Sequence, residues 1–216
     1  CGAAVVMDAK NGKIRAMVSK PWYDADNVAQ ALDSENSPLI NRVLCAYNVG
    51  SVFKPLIAAV ALENGLGTYK HNCTGSIVNG GLTFKCNRLA GHGELDLKEA
   101  ISKSCNTYFY TLAGKIGAQS IHEAASNLWF GRALDLSGGI ASNKGNLPEL
   151  YTLQNSSSTL INLSIGQGEL LLSPVAIANL YTAIVNGGVY RMPTVVEGFE
   201  QNGVYTKAED NLSVEA

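Results

Sequence analysis

A serine and a lysine stand three residues apart at Ser51 and Lys54, in the stretch GSVFKP that runs directly into the apolar PLIAAVAL. A serine hydroxyl is a weak nucleophile until a base takes its proton, and lysine acts as that base only as the free amine. On a helix, positions i and i+3 share a face, which places the two groups within reach of each other. A helix N-terminus also favours incoming negative charge, so the Ser51 backbone N–H suits a developing oxyanion. The chemistry this predicts is acyl transfer through a serine ester. The plainer alternative is a capping serine followed by a solvated lysine. The apolar residues around the pair argue against it, because a lysine in a buried first turn needs partners.

The second half of a pattern follows at Ser104-Cys105-Asn106, between two expected helices, where alternation of side chains aims Ser104 and Asn106 to one side. A second group of reactive side chains lies between the two motifs: His71, Cys73, Cys86, His92 and Cys105. Two imidazoles and two thiolates suit tetrahedral zinc, although these spacings match no zinc-finger pattern. Two other readings remain open. Cys73 and Cys86 suit a disulfide across a hairpin in an extracytoplasmic protein, and Cys105 suits a core thiol packed behind the motif.

The elements that must position these groups are legible in outline. Residues 3–7 and 13–18 read as strands joined through Asn11-Gly12, with Asp8 belonging to the same hairpin. Residues 20–48 read as a long loop with one short helix. A helix follows from about residue 51, with Pro55 in its first turn and a stop at Asn64-Gly65. Residues 66–93 contain a hairpin signature at Asn79-Gly80-Gly81, and helices are expected over 97–103, 107–116 and 120–130. Glu94 and Asp96 read as caps. The Ser/Asn/Gly-rich residues 131–160 read as a surface loop. A further helix begins at the Ser173 cap with Pro174 and ends at Asn186-Gly187-Gly188, and an extended segment covers 189–196. Gly166-Gln167-Gly168 reads as a tight turn, and Trp22, Trp129, Tyr108 and Tyr110 as packing residues.

Composition narrows the function classes. The 216 residues are 46% apolar and 16% charged, enough for a real core. A net charge of -2 without long like-sign runs leaves no footprint for nucleic acid. The odd count of five cysteines excludes full pairing within one chain.

Taken together, "GAAVVMDAKNGKIRAMVSKPWYD", "NVGSVFKP", "SCNTYFYTLAGKIG" and "SIGQGELLLSPVAIANLYTAIVNGGVYRMP" resemble the transpeptidase domain of class B penicillin-binding proteins, nearer the elongation type than the division type. The resemblance runs from about residue 2 to 192. It implies an α/β (α+β) fold of the serine β-lactamase/transpeptidase kind, helices packed on an antiparallel sheet. One such domain would span 1–216. It implies Ser51 as the acylated nucleophile, Lys54 as its base, Ser104 as a proton relay toward the leaving amine, and Asn106 as a hydrogen-bonding partner of the substrate amide. The implied reaction cross-links peptidoglycan stem peptides through an acyl-serine, with β-lactam antibiotics as trapping inhibitors. No cofactor is required for that catalysis. A glycan-polymerising membrane protein is the implied partner, and the extracytoplasmic face of the bacterial membrane the implied location, with an N-terminal anchor outside this chain.

The family's third motif, Lys-Thr-Gly or Lys-Ser-Gly, does not occur in residues 1–216. Its strand, with the second oxyanion-hole N–H, is expected beyond them. A β-lactam sensor or a β-lactamase-like protein would share Ser51 and Lys54. The class A signature Glu-x-x-Leu-Asn is nevertheless missed by Glu149 and Asn155, and Asn106 stands where class D enzymes have valine. A noncatalytic module of the cell-wall complex is the remaining alternative. Some elongation-type relatives carry a metal near this place, and the resemblance assigns it to His71, Cys86, His92 and Cys105, with Cys73 as a substitute for His71, in a structural role.

Overall fold

The computed structural model describes residues 1–207 and 213–215. In chain order, β1 (Gly2–Met7) and β2 (Ile14–Lys20) are followed by α1 (Val28–Leu32) and α2 (Lys54–Glu63). Short strands come next: β3 (His71–Cys73), β4 (Ser76–Asn79), β5 (Leu82–Lys85) and β6 (Gly93–Leu95). Helices α3 (Leu97–Ser102), α4 (Asn106–Ile116), α5 (Ala118–Asn127), α6 (Leu150–Asn155), α7 (Ser157–Leu163) and α8 (Pro174–Val185) lead to β7 (Val189–Arg191), β8 (Gly198–Gln201), β9 (Val204–Lys207) and β10 (Ser213–Glu215). No helix among the described residues is long and apolar enough to cross a membrane.

The chain divides into two compact units. The first takes in Cys1–Tyr47, Leu128–Gly145 and the described residues from Leu172 onward. There β1 and β2 pair antiparallel, Val5 opposite Met17, with a bulge after Val6. The expected hairpin turn is closed by Gly12 N–H on the Asp8 carbonyl (2.9 Å) and by the Asn11 amide on the Asp8 carboxylate (3.1 Å). Helix α8 packs on β1. Its start is fixed as expected, with the Ser173 hydroxyl accepting from Ala176 N–H (3.3 Å) and Pro174 following where an N–H has no helical partner. The short helix expected in residues 20–48 is α1, and the extended segment at 189–196 is strand only at β7, which pairs with β10. Tyr108 and Tyr110 are buried as expected, whereas Trp22 lies open to solvent on the first unit.

The second unit, Asn48–Asn127 with Asn146–Leu171, is mostly helical. Helix α2 packs against α4 and α5, and α4 against α7, around Phe53, Ile57, Phe109, Leu112, Ile121 and Leu153. Burying each such side chain contributes about 1.5–3 kcal/mol, which holds the helix that carries Lys54 against the helix that begins at Asn106. Strands β3 and β6 pair antiparallel, as do β4 and β5 in the expected hairpin.

Three local expectations are corrected. The 131–160 segment is not a loop throughout, because α6 lies inside it and α7 begins there. The serine-rich composition concealed a cap: the Ser156 hydroxyl accepts from Thr159 N–H (3.3 Å), and Leu153 and Ile161 supply buried faces. The third helix is shifted to Ala118–Asn127. Of the two carboxylates read as caps, Asp96 forms a capping box with Glu99 at the start of α3, but Glu94 lies on β6 and pairs at the surface with Lys70 (3.4 Å).

Candidate active site

Ser51 does not cap α2. It is the second residue of a 3-10 turn, Gly50–Phe53, that runs into the helix, with Lys54 N–H bonded to the Ser51 carbonyl. In a 3-10 turn positions i and i+3 eclipse, so the tighter winding aligns the two side chains more directly than an α-helix would. The Lys54 amine sits 3.1 Å from the Ser51 hydroxyl. Ser51 is exposed, whereas Lys54 is only 2% exposed. The hydroxyl faces solvent and the amine is shielded.

Three further oxygens surround the Lys54 amine: Asn106 Oδ1 at 2.7 Å, the Ser104 carbonyl at 2.8 Å and the Ser104 hydroxyl at 2.9 Å. The amide and carbonyl oxygens only accept, so they take two N–H groups in either protonation state. The nitrogen's remaining valence is left to the hydroxyls of Ser51 and Ser104, as a donated N–H when lysine is charged and as a lone pair when it is neutral. That is the wiring of a proton shuttle between two hydroxyls. Burial brings the Lys54 pKa down from 10.5 to about 8, opposed by the negative charge that the nearby Cys105 and Cys86 carry when ionised.

The second motif owes its shape to the end of α3. Ser104 N–H bonds the Ile101 carbonyl (3.0 Å) and Cys105 N–H bonds the Ala100 carbonyl (2.9 Å), the crossed pair of a Schellman motif. Its left-handed position, where glycine is the usual occupant, is filled by Ser104 at φ 50°. A serine there costs about 1 kcal/mol relative to glycine. The hydroxyl that reaches Lys54 is therefore kept at some expense to the backbone. Cys105 then points the other way into the interior at 0% exposure, and Asn106 opens α4. Alternation does place Ser104 and Asn106 on one side, as the sequence predicted.

Gly166 supports the Ser51 turn from beneath. Gly50 N–H donates to the Gly166 carbonyl (2.8 Å), and a Cβ on Gly166 would stand 2.1 Å from the Gly50 carbonyl oxygen. The turn at 166–168 is tight as expected, and it is in direct backbone contact with the residue before Ser51.

Behind Cys105, the ligand atoms of Cys73, Cys86, His92 and Cys105 all lie within 4.8 Å of one another. His71, expected in that set, is not in it. Strand β3 carries His71 and Cys73 on one face two residues apart, and the register of helix α4 captures the imidazole first: Nε2 lies 3.2 Å from Thr107 Oγ1 and Nδ1 3.5 Å from Thr111 Oγ1. Cys73, the substitute, takes the place, beside the His92 backbone N–H that bonds its carbonyl (3.0 Å). All five cysteines are free thiols. Burial pushes the Cys105 thiol up to about 12, while hydrogen bonds from Thr107, Gly75 and His92 outweigh burial at Cys73 and bring it down to about 6.

Sequence comparison bears directly on this arrangement: the profile of the penicillin-binding protein transpeptidase domain matches residues 2–215. The chain belongs to the penicillin-binding protein transpeptidase family. Its fold is accordingly the β-lactamase/transpeptidase fold. Over 233 residues it is 28% identical to the peptidoglycan D,D-transpeptidase MrdA of Haemophilus influenzae, covering 98% of this chain and 35% of that protein. A structure of penicillin-binding protein A from M. tuberculosis as a ceftriaxone acyl-enzyme complex superposes with a TM-score of 0.84 at 27% identity, covering 95% of this chain and 50% of that one. A chain from a peptidoglycan synthase complex that coordinates polymerization and crosslinking superposes with a TM-score of 0.84 at 26% identity, covering 100% of this chain and 39% of that one. The transpeptidase domain described here thus spans about a third of the length of MrdA.

Within the transpeptidase domain, Ser51, Lys54, Ser104 and Asn106 come together as the motif spacing predicted. Thr107 was missed, although its hydroxyl lies between His71 and Cys105 (3.4 Å from Sγ). The signal was available in its position one residue past the motif, on the same helix that Asn106 opens.

Proposed function

We propose that this chain supplies the acylation machinery of a peptidoglycan D,D-transpeptidase that β-lactams inhibit. The observation that carries the reading is the buried Lys54 amine held between the hydroxyls of Ser51 and Ser104. Ser51 Oγ attacks the carbonyl carbon of a D-Ala-D-Ala stem peptide as Lys54 accepts its proton. Through the same amine and the Ser104 hydroxyl a proton returns to the departing D-Ala nitrogen, leaving an acyl-Ser51 ester. An amine of a neighbouring stem peptide then attacks the ester, and the reversed proton path restores Ser51. Asn106, whose Oδ1 accepts from Lys54, would hydrogen-bond the substrate amide through its remaining amide group. A positioned base of this kind contributes roughly 10²–10⁴-fold in rate. A β-lactam enters the first half of the sequence as the acyl donor and stays as the ester.

The cluster behind the motif suits zinc in a structural role. Around tetrahedral zinc, bond lengths of about 2.3 Å to sulfur and 2.0 Å to nitrogen set ligands roughly 3.5–3.8 Å apart. Cys86 Sγ and Cys105 Sγ are 3.8 Å apart, and His92 Nδ1 is 3.6 Å from the sulfurs of both Cys73 and Cys86. A zinc ion held by Cys73, Cys86, His92 and Cys105 would cross-link β3, the residue after β5, the approach to β6 and the 104–106 tripeptide. It would supply rigidity and take no part in proton transfer.

Peptidoglycan stem peptides and β-lactams are the proposed ligands, a glycan-polymerising membrane protein the proposed partner, and the extracytoplasmic face of the membrane the proposed location. The family membership and the likeness to a chain of a synthase complex support these assignments. The test is labelling of the intact protein with a fluorescent penicillin. We expect a stable label lost in Ser51→Ala; equal labelling of wild type and variant overturns the reading, and so does release of the label within seconds, which would mark a hydrolase.

A further inference from the structure

Asn106 and Phe109 are one turn apart on α4, so their side chains share a face, and that face looks toward Lys54. Asn106 Oδ1 lies 2.7 Å from the Lys54 amine, and the amine sits over the Phe109 ring, 5.5 Å from its centroid. Phe109 is fully buried, with its ring set edge-on to that of Tyr108 (centroids 5.6 Å apart). Lys54 makes no ion pair among the described residues. Its positive charge is met by neutral groups: the Ser51 hydroxyl from its own turn, the Ser104 hydroxyl and carbonyl and the Asn106 amide from the α3–α4 junction, and the aromatic face. The Cys86 and Cys105 thiols act at longer range. In a site without a carboxylate, the negative face of a ring is a strong remaining stabiliser of an ammonium, and desolvation strengthens it.

We propose that Phe109 is a positioning residue for the acylation base: its ring face receives the Lys54 ammonium and, with Asn106, sets both where the amine sits and the pH at which it gives up its proton. The inference rests on the acyl-serine reading and deepens it. Burial alone would drive the lysine neutral and leave it unable to carry a proton between two hydroxyls. The ring counters that, so both protonation states remain accessible near neutral pH. A leucine would keep an apolar side chain there without the quadrupole, at the cost of a small void.

The test uses the intact protein with phenylalanine at position 109 replaced by its 4-fluoro, 3,5-difluoro and pentafluoro analogues, which keep the shape of the ring and progressively remove the negative charge of its face. The rate of acylation by a fluorescent penicillin is measured against pH, and Lys54 is titrated directly by NMR of 13C-labelled lysine, with Lys54→Arg for assignment. The expected result is a midpoint that moves to lower pH in the order of fluorination, by about one pH unit in total. Phe109→Leu should move it in the same direction. A midpoint unchanged across the series, with labelling intact, overturns the proposal, as does a loss of maximal rate with no shift in either titration, the mark of a packing role alone. If the unmodified protein does not label at all, the acyl-serine reading falls, and the proposal with it.

Discussion

Lys54 is buried and Ser51, three residues earlier and 3.1 Å away, is open to solvent. One turn of chain therefore spans the boundary between protein interior and bulk water, with the amine on one side and the hydroxyl on the other. In the proposed mechanism the free amine is the active base, and burial lowers the Lys54 pKa to about 8. Acylation by a β-lactam should rise with pH and reach half its plateau near pH 8, well below the 10.5 of a solvated lysine. Stopped-flow labelling between pH 6 and 9.5 measures this, and a profile flat over that range would contradict it. Lys54→Ala should slow acylation by roughly 10²–10⁴-fold.

The left-handed backbone at Ser104 sets stability against activity. Ser104→Gly places the preferred residue at the Schellman position and should raise the unfolding free energy by up to about 1 kcal/mol. The same change removes the hydroxyl 2.9 Å from Lys54, so acylation should slow by at least about tenfold. Denaturant melts and labelling rates on one preparation check both halves.

Two glycines with almost the same dihedral separate strain from collision. Gly65, just after α2, has φ 72° with nothing within 4 Å of an added Cβ, while Gly166 has φ 71° with the Gly50 carbonyl 2.1 Å from it. Gly65→Ala should cost about 1 kcal/mol, the price of the left-handed conformation. Gly166→Ala should cost about 3 kcal/mol because backbone must also move, and it should displace the Ser51 turn. Thermal melts paired with labelling rates distinguish them: the first variant keeps its wild-type labelling rate and the second does not.

The cysteine cluster makes a discriminating prediction about metal. Purified under reducing conditions, the protein should hold close to one zinc per chain by elemental analysis. Cys73→Ser and Cys86→Ser should lower that content sharply and reduce the melting temperature, whereas His71→Gln should retain the metal, because its imidazole is engaged by Thr107 and Thr111. Retention in Cys73→Ser with loss in His71→Gln would reverse the assignment.

How much of this was legible in the sequence depended on how local the deciding physics was. Ser51 with Lys54 and Ser104 with Asn106 were readable because each pair is set by spacing along one turn, and the Asp96 and Ser173 caps because a cap acts within three residues. His71 could not be told from Cys73, since both lie on the same face of β3, and the choice between them is made by threonines on α4, a distant segment. The serine run before α7 was misread because the same residues serve loops and caps, and only the burial of Leu153 and Ile161 decides. The Gly50–Gly166 contact was hidden for a similar reason: it joins backbone to backbone across more than a hundred residues and leaves no side-chain signature.

The tripeptide 104–106 is read from two sides at once. Its outer residues face the Lys54 amine, and its middle residue faces the other ligand atoms of the cysteine–histidine cluster. Under the proposed mechanism the tripeptide therefore has little room for neutral change: a substitution at 105 would disturb the thiol cluster, and one at 104 or 106 would disturb the Lys54 amine.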